Sequence, residues 1–278
     1  MSPDQYCQEK AVASGSSFYY SFLFLPPEKR RAITAFYALC RELDDVVDEC
    51  SDPQLAGIKL SWWRTELDRM YLDQPQHPVT QALEPFIQAF DIPRELLEEI
   101  VDGMEMDISQ SRYPDFKTLQ LYCYRAAGVV GEIAARIFGD THRDTAQYAH
   151  DLGMAFQLTN IIRDVGEDAR RNRIYLPQTE LEQFGVSSND IIRARMSDAF
   201  RALMQFQYER ALDYYDKALA KLPPQDKRNQ RPGLAMAAIY RATLEEIRGG
   251  GFNVLTERTS LTPLRKFWLA WKAWTFTS

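Results

Sequence analysis

The sequence predicts an all-α protein of one domain, and three observations predict it. Apolar residues recur at helical spacing almost throughout, with no run of strand-like alternation. Turn signals fall at the ends of the periodic stretches, as at Pro26-Pro27, Ser51-Asp52-Pro53 and Arg248-Gly249-Gly250-Gly251. The chain of 278 residues, 45% hydrophobic and 26% charged, suffices for a sizeable core, and no linker, repeat or low-complexity tract divides it.

In chain order the first helix is expected over about 28–50, opened by Glu28 after two prolines and carrying the apolar arc Ile33, Phe36, Cys40, Leu43 and Val47. The second, about 54–72, follows Asp52-Pro53, and the third, about 79–90, follows the loop Gln74-Pro75-Gln76-His77-Pro78. Helices over about 93–109 and 115–138 come next. A long one over about 143–170 carries the arc Met154, Leu158, Ile161, Ile162 and Val165. The pattern continues over about 189–221 to the loop Leu222-Pro223-Pro224-Gln225-Asp226, then over about 233–248, which three glycines end. A last helix is expected over about 263–275.

Bulk composition excludes some functions. A net charge of −6 lacks the basic field of a nucleic-acid binder, so no nucleic-acid partner is expected. Met1 to Lys10 is polar, without the apolar core of a signal peptide, and no run of 18 uncharged apolar residues exists. The four scattered cysteines form no CxxC pair and read as free thiols in a reducing, cytoplasmic setting.

The chemistry-bearing feature is a pair of acidic stripes. On the first helix Tyr37, Arg41, Asp44 and Asp48 share one line, and about 115 residues later Gly153, Gln157, Asn160, Asp164 and Asp168 share another. Each stripe borders its helix's apolar arc, as cavity-lining residues do. Stacked like charges cost a few tenths of a kcal/mol per pair in a bare helix (~0.2–0.5), so two such stripes imply compensating cations. Solvated flanks of amphipathic helices are the alternative reading of either stripe alone. Oxygen ligands suit magnesium, with manganese as a substitute, bridging carboxylates to substrate phosphates. An EF-hand is excluded because neither segment has its alternating ligands and central glycine. Zinc is disfavoured because His77, His142 and His150 lie outside both segments and are expected on the surface or in loops. Facing carboxylates around magnesium, with Arg41 as a donor fork, could hold a diphosphate while it departs from an allylic carbon. Aromatic faces would stabilise the resulting cation, and an apolar bundle would keep water out.

Five segments in order carry a resemblance. They are Ser14-Gly15-Ser16-Ser17-Phe18-Tyr19-Tyr20, Phe36-Tyr37-Ala38-Leu39-Cys40-Arg41, and Tyr122-Cys123-Tyr124-Arg125-Ala126-Ala127-Gly128-Val129-Val130-Gly131, then Gln157 through Asp168, and Arg170-Arg171-Asn172-Arg173-Ile174-Tyr175-Leu176-Pro177. On these the chain resembles the squalene/phytoene synthase family of head-to-head prenyltransferases. The resemblance implies an isoprenoid-synthase (terpenoid synthase) helical bundle whose acidic helices face each other across a central cavity. It implies that Asp44 and Asp48 form one metal-binding motif and Asn160, Asp164 and Asp168 the other. It further implies that Ser17, Arg41 and Arg171 contact diphosphate and that Tyr37, Tyr122, Gln157 and Tyr240 line the cavity. Within the family, Ser21 to Arg31 and Lys59-Leu60-Ser61-Trp62-Trp63-Arg64 are most similar to bacterial members that form presqualene diphosphate for hopanoids. The implied reaction joins two farnesyl diphosphates, with a downstream squalene-forming enzyme as a partner.

A phytoene-type enzyme using geranylgeranyl diphosphate, a complete NADPH-dependent squalene synthase, a non-catalytic binding subunit and a terpene cyclase are the alternatives. No strand and no GxGxxG supports a Rossmann nucleotide site, and NADPH is not expected. Gly128 and Gly131 suit either a prenyl chain or close helix packing, and Phe18 and Phe22 either a tail cavity or plain core. The segment from Leu264 to Trp274 mixes Phe267, Trp268 and Trp271 with lysine and arginine, as an interfacial helix at the inner membrane face would. A terminal helix docking its tryptophans on the body is the other reading.

Overall fold

The computed structural model describes residues 1–15, 21–22, 24–50 and 52–276, apart from the side chain of Phe276; Ser17 and Phe18 lie outside the described residues. Among the described residues the regular structure is helical, with one isolated bridge between Arg112 and Ile174. Helix α1 spans Pro3–Ala13, α2 Pro27–Glu49, α3 Pro53–Tyr71, α4 Pro78–Ala89 and α5 Arg94–Ser109. Helix α6, Phe116–Cys123, runs through a π-turn at Tyr124–Gly128 into α7, Val129–Phe138. Then follow α8 Arg143–Arg170, α9 Gln178–Phe184, α10 Ser188–Ile192, α11 Asp198–Lys221, α12 Arg231–Gly249 and α13 Pro263–Phe276.

Local chemistry sets these boundaries. Asp52, His77, Asp115 and His142 each accept a backbone N–H at the start of α3, α4, α6 and α8, and prolines stand in the first turn of α2, α3 and α4. His77 and His142 are therefore caps in the loops before their helices, as expected, whereas His150 sits half-buried within α8, which corrects the expectation of a surface or loop site for that residue.

Four element assignments differ from the sequence reading, one of them the unexpected short helix α9 over Gln178–Phe184. Helix α1 was not expected; a Ser2–Gln5 capping box starts it, and only Cys7 and Ala11 are buried, too few to give a periodic signal. The stretch 115–138 is helical throughout but holds the π-turn, an extra residue that apolar periodicity does not register. The stretch 189–221 is broken: Ala194 has φ +51°, and Ser197 caps a new helix by accepting from Phe200 N at 3.0 Å. All four cysteines are free.

The buried apolar residues form two clusters. One is built from α1–α5 and α7, around Phe36, Leu39, Leu60, Leu67 and Ile133. The other is built on α8, α11 and α12, around Leu158, Phe200, Tyr208 and Leu244. Helix α8 lies along α11 on one side and approaches α7 on the other. That second approach requires glycine. A Cβ on Gly131 would stand 2.4 Å from Ala149 O, and one on Gly153 2.3 Å from Ala127 O. Close packing is thus one role of Gly131, and both glycines also border the cavity between the clusters.

Candidate active site

The cavity has a volume of about 590 Å³ and draws its wall from both clusters. Along α2 the lining residues begin with Ile33 and Phe36 and end with Asp44, Val47 and Asp48. At ~1.5 Å per residue, Ile33 and Asp48 are about 22 Å apart. Along α8 the same order holds, from Tyr148 and Leu152 through Phe156 and Gln157 to Asn160, Asp164 and Asp168. Each helix therefore contributes its apolar turns to one end and its C-terminal, acidic turns to the other. The negative ends of two helix dipoles add to the attraction for cations at the acidic end.

The loop after α8 joins the two acidic sets. Arg171 reaches Asp48 at 3.2 Å, and Arg173 lies 3.5 Å from both Asp48 and Asp107. Asn172 between them has φ +58° and is held by Arg112, which donates to Asn172 O at 2.6 Å, Asn172 Oδ1 at 2.9 Å and Ser111 O at 2.7 Å. Ile174 N also donates to Ser111 O at 3.0 Å. Tyr175 follows, donating its hydroxyl to Asp107 and stacking on Tyr122 with ring centroids 5.2 Å apart.

Arg41 holds Asp44 at 3.0 Å and Asp45 at 2.9 Å. Asp45 belongs to the outer side of α2, where α1 supplies Lys10 at 2.7 Å; Lys10 also pairs with Glu42 at 2.9 Å. Helix α1 thus neutralises the acids that do not face the cavity. Tyr37 lines the cavity and donates to Ser14 Oγ at 3.0 Å.

On the other wall Asp164 accepts from Arg163 at 2.5 Å and from Arg258 at 2.9 Å, and Arg258 reaches Glu167 at 3.1 Å. Arg258 arrives because the segment after α12 lies directly on α8 at Gly166. Gly166 N donates to Val254 O at 3.1 Å, and a Cβ at Gly166 would stand 2.3 Å from Leu255 O. The glycine inside the second acidic segment is what lets this arginine reach the site.

These charges leave a specific imbalance. Burial pushes Asp168 up to about 7, reinforced by Asp164 and Asp107 and opposed by Arg173. Burial likewise pushes Asp44 up to about 7 against the pull of Arg41, with Asp48, Asp107 and Asp45 adding to it. Asp44 lies deep in the molecule yet keeps 41% of its side chain open, onto the cavity, so cavity water moderates that effect. Burial also raises Asp164, but Arg163 and Arg258 outweigh it and hold the carboxyl below its usual value. Lys266 lines the same end, lowered by burial and by Arg163 and Arg258.

Of the residues singled out in the sequence, Tyr37, Arg41, Asp44, Asp48, Tyr122, Gln157, Asn160, Asp164, Asp168, Arg171 and Tyr240 all border this cavity, and Ser17 lies outside the described residues. Tyr240 is buried against Phe156, ring centroids 4.8 Å apart. Asp107, Arg163, Arg173, Tyr175, Arg258 and Lys266 join them without having been selected. Arg163, Arg173 and Tyr175 stood in noted segments; Asp107, Arg258 and Lys266 lie on other elements and carry no local spacing signal.

The residues present fit a divalent cation that shares its ligands with a phosphate. Among the described residues Asn160 Oδ1 is buried without a hydrogen-bond partner, while Asn160 Nδ2 donates to Gln157 Oε1 at 3.4 Å. Every candidate ligand is an oxygen donor, which suits magnesium. Among the described residues no three acidic, histidine or cysteine side chains converge as a cage for one ion. A cation here would therefore complete its coordination with water and phosphate oxygens.

The squalene/phytoene synthase family model matches residues 11–265. The chain is 35% identical over 272 residues to the 15-cis-phytoene synthase of Synechococcus elongatus, covering 94% of this chain and 88% of that one. Its fold superposes on a dehydrosqualene synthase in complex with ligand with a TM-score of 0.86 at 26% identity, covering 98% and 95% of the two chains. It superposes on the squalene synthase HpnC of Alicyclobacillus acidocaldarius with a TM-score of 0.80 at 27% identity, covering 90% and 95%. With an isoprenoid-synthase bundle and a cavity acidic at one end and aromatic at the other, the chain belongs to the squalene/phytoene synthase family.

Proposed function

We propose that the protein joins two farnesyl diphosphates head to head, giving presqualene diphosphate and free diphosphate in a magnesium-dependent reaction. The observation that carries this reading is the polarity of the cavity, where facing carboxylates and basic groups at one end give way to an aromatic and aliphatic interior. Asp44, Asp48, Asn160, Asp164 and Asp168 would hold the cations. Bound magnesium would neutralise the negative charge of the departing diphosphate.

The chain's own residues account for the rest. Arg41, Arg171, Arg173, Arg258 and Lys266, now paired with the acids or beside them, are placed to bind and orient diphosphate oxygens. The C1–O bond of one farnesyl diphosphate breaks with its electron pair going to the diphosphate. The C2=C3 double bond of the second molecule supplies the pair for a new bond to C1. Loss of a C1 proton closes the cyclopropane, and the second diphosphate is retained. Tyr37, Tyr122, Phe156, Tyr175 and Tyr240 line the walls between the charged and apolar ends, where aromatic faces favour a carbocation and exclude water. Phe22 and Phe138 pack together at 6.3 Å beside the apolar end, and their bulk favours the shorter prenyl chain.

A geranylgeranyl substrate is the second reading, favoured by the 35% identity to a phytoene synthase. The purified protein incubated with magnesium and either prenyl diphosphate, without NADPH, should give a C30 diphosphate from farnesyl diphosphate. A C40 product from geranylgeranyl diphosphate alone would transfer the assignment. No coupled product from either would overturn both readings.

A further inference from the structure

The last helix presents apolar side chains on two opposite faces. Ala270, Leu269 and Ala273 pack against the core, with Trp274 half-buried beside them. On the opposite face Leu264, Trp268 and Trp271 stand at i, i+4 and i+7, flanked by Phe267, and are 83%, 52%, 46% and 46% exposed respectively. The core covers the inner face, but the outer apolar face is left open, and a contiguous exposed apolar patch marks a protein or membrane contact. Phe24, 36% exposed, extends the patch, with its ring 5.4 Å from Trp274 and 6.4 Å from Phe267.

Charge says what covers it. The chain carries −6 overall, yet Pro263–Phe276 holds Arg265, Lys266 and Lys272 and no acidic residue. Arg265 pairs with Glu246 at 2.6 Å and Lys266 faces the cavity. Lys272 lies over the Trp268 ring at 5.2 Å, and Arg231 lies 5.9 Å from the Trp274 ring at the other edge. Exposed tryptophans bordered by cations suit the headgroup layer of an anionic bilayer. No helix among the described residues is long and apolar enough to cross a membrane, so the contact would be interfacial.

Position links the patch to the cavity. Lys266 sits in the cavity wall on the same helix, and Phe22, two residues before Phe24, lines the apolar end. We propose that the outer face of α13, with Phe24, docks the protein on an anionic lipid surface beside the cavity, so that the prenyl substrate and the product exchange with lipid. The docking surface stands on the exposure and charge of α13; the exchange rests on the prenyl-diphosphate reading above.

Co-sedimentation of the full chain with vesicles of phosphatidylcholine alone, or mixed with phosphatidylglycerol, tests it without substrate. Binding is expected to the mixed vesicles and to weaken in high salt. A Trp268→Ser/Trp271→Ser variant should lose at least ten-fold in partitioning, and Lys272→Glu should lose part of it. Both should keep the wild-type melting temperature and turnover of detergent-dispersed substrate. Wild-type protein that ignores both vesicles, or a double variant that binds as well as wild type, would overturn the docking surface. A concentration-dependent dimer that the double variant abolishes would overturn it in favour of a second copy. Turnover in detergent reads the proposed reaction separately, so loss of one reading leaves the other standing.

Discussion

Gly166→Ala is the most demanding substitution for the site as described. In isolation alanine should favour a helix interior by about 0.5–1 kcal/mol over glycine. Here the added methyl would stand 2.3 Å from Leu255 O and 2.6 Å from both Leu255 C and Val254 O, all of them backbone atoms that no rotamer change can move. Ordinary contact lies at 3.4 Å or more, so the segment must retreat by about 1 Å. That retreat strains the Gly166 N to Val254 O hydrogen bond and costs about 1–3 kcal/mol as overpacking, more than the helix gain. It also withdraws Arg258 from Asp164 and Glu167, now 2.9 and 3.1 Å away. Misplacement of about 1 Å at a reacting centre can cost on the order of 100-fold in rate. Steady-state turnover and thermal unfolding of Gly166→Ala, Arg258→Ala and the double variant provide the assay. The expected result is a fall in kcat/KM of about 100-fold, a lowered Tm, and a double variant scarcely slower than the worse single one. A Gly166→Ala protein with raised Tm and unchanged turnover would refute the claim that this glycine seats the arginine.

Other consequences are quickly checked. Asp44→Asn and Asp164→Asn should each lower kcat by about 10²–10³ or more, in line with removing one electrostatic stabiliser of a departing anion, and wild-type activity in either would return the stripes to mere solvated flanks. Because burial raises the carboxyls of Asp44 and Asp168 toward 7, protons compete with magnesium as the pH falls below neutral. The apparent magnesium affinity by calorimetry should fall, by up to about tenfold per pH unit for each acid that must ionise, as pH drops from 7 to 5. The sign for stability is opposite. An acid with a raised folded-state pKa binds its proton more tightly when folded, so the metal-free protein should melt higher at pH 5.5 than at 7.5. Arg112→Ala removes three hydrogen bonds that hold Ser111 and Asn172, so Arg171 and Arg173 should lose their fixed positions. The KM for prenyl diphosphate should rise about 10-fold with little change in Tm, and an unchanged KM would show that the loop needs no such clamp.

The acidic stripes were legible because a helix repeats every 3.6 residues, so side chains four apart share a face in the sequence as they do in the protein. Asp44 with Asp48 and Asn160 with Asp164 needed no tertiary information beyond that. Arg258 did: it lies on a segment without helical periodicity, and only the contact at Gly166 brings it across 94 residues to Asp164. Asp107 was equally hidden, because it is one of six acids in α5, has no acidic neighbour three or four residues away, and becomes a site residue only when Arg173 and Tyr175 arrive from the loop after α8. Helix α1 left too faint an apolar trace, and the π-turn at Tyr124–Gly128 shifts register without altering composition. The site residues that escaped the sequence are those that depend on partners distant in the chain.

The positions of the basic groups follow from the same electrostatics. Two sets of carboxylates facing each other at the C-terminal ends of α2 and α8 would repel, and helix dipoles of the same sign add to the cost. Arg41 on Asp44, Arg171 and Arg173 on Asp48, and Arg258 on Asp164 and Glu167 offset that repulsion within the chain itself. Asp168 has no ion-pair partner among the described residues, and burial, with Asp164 and Asp107 beside it, pushes its carboxyl up to about 7. Under the proposed function each arginine can turn from carboxylate to diphosphate as cations take over the acids. Ligand binding would then exchange ion pairs one for another rather than bury new charge. That exchange makes a coupled prediction: magnesium alone should bind weakly, and diphosphate should tighten it, because only the anion gives the released arginines a partner.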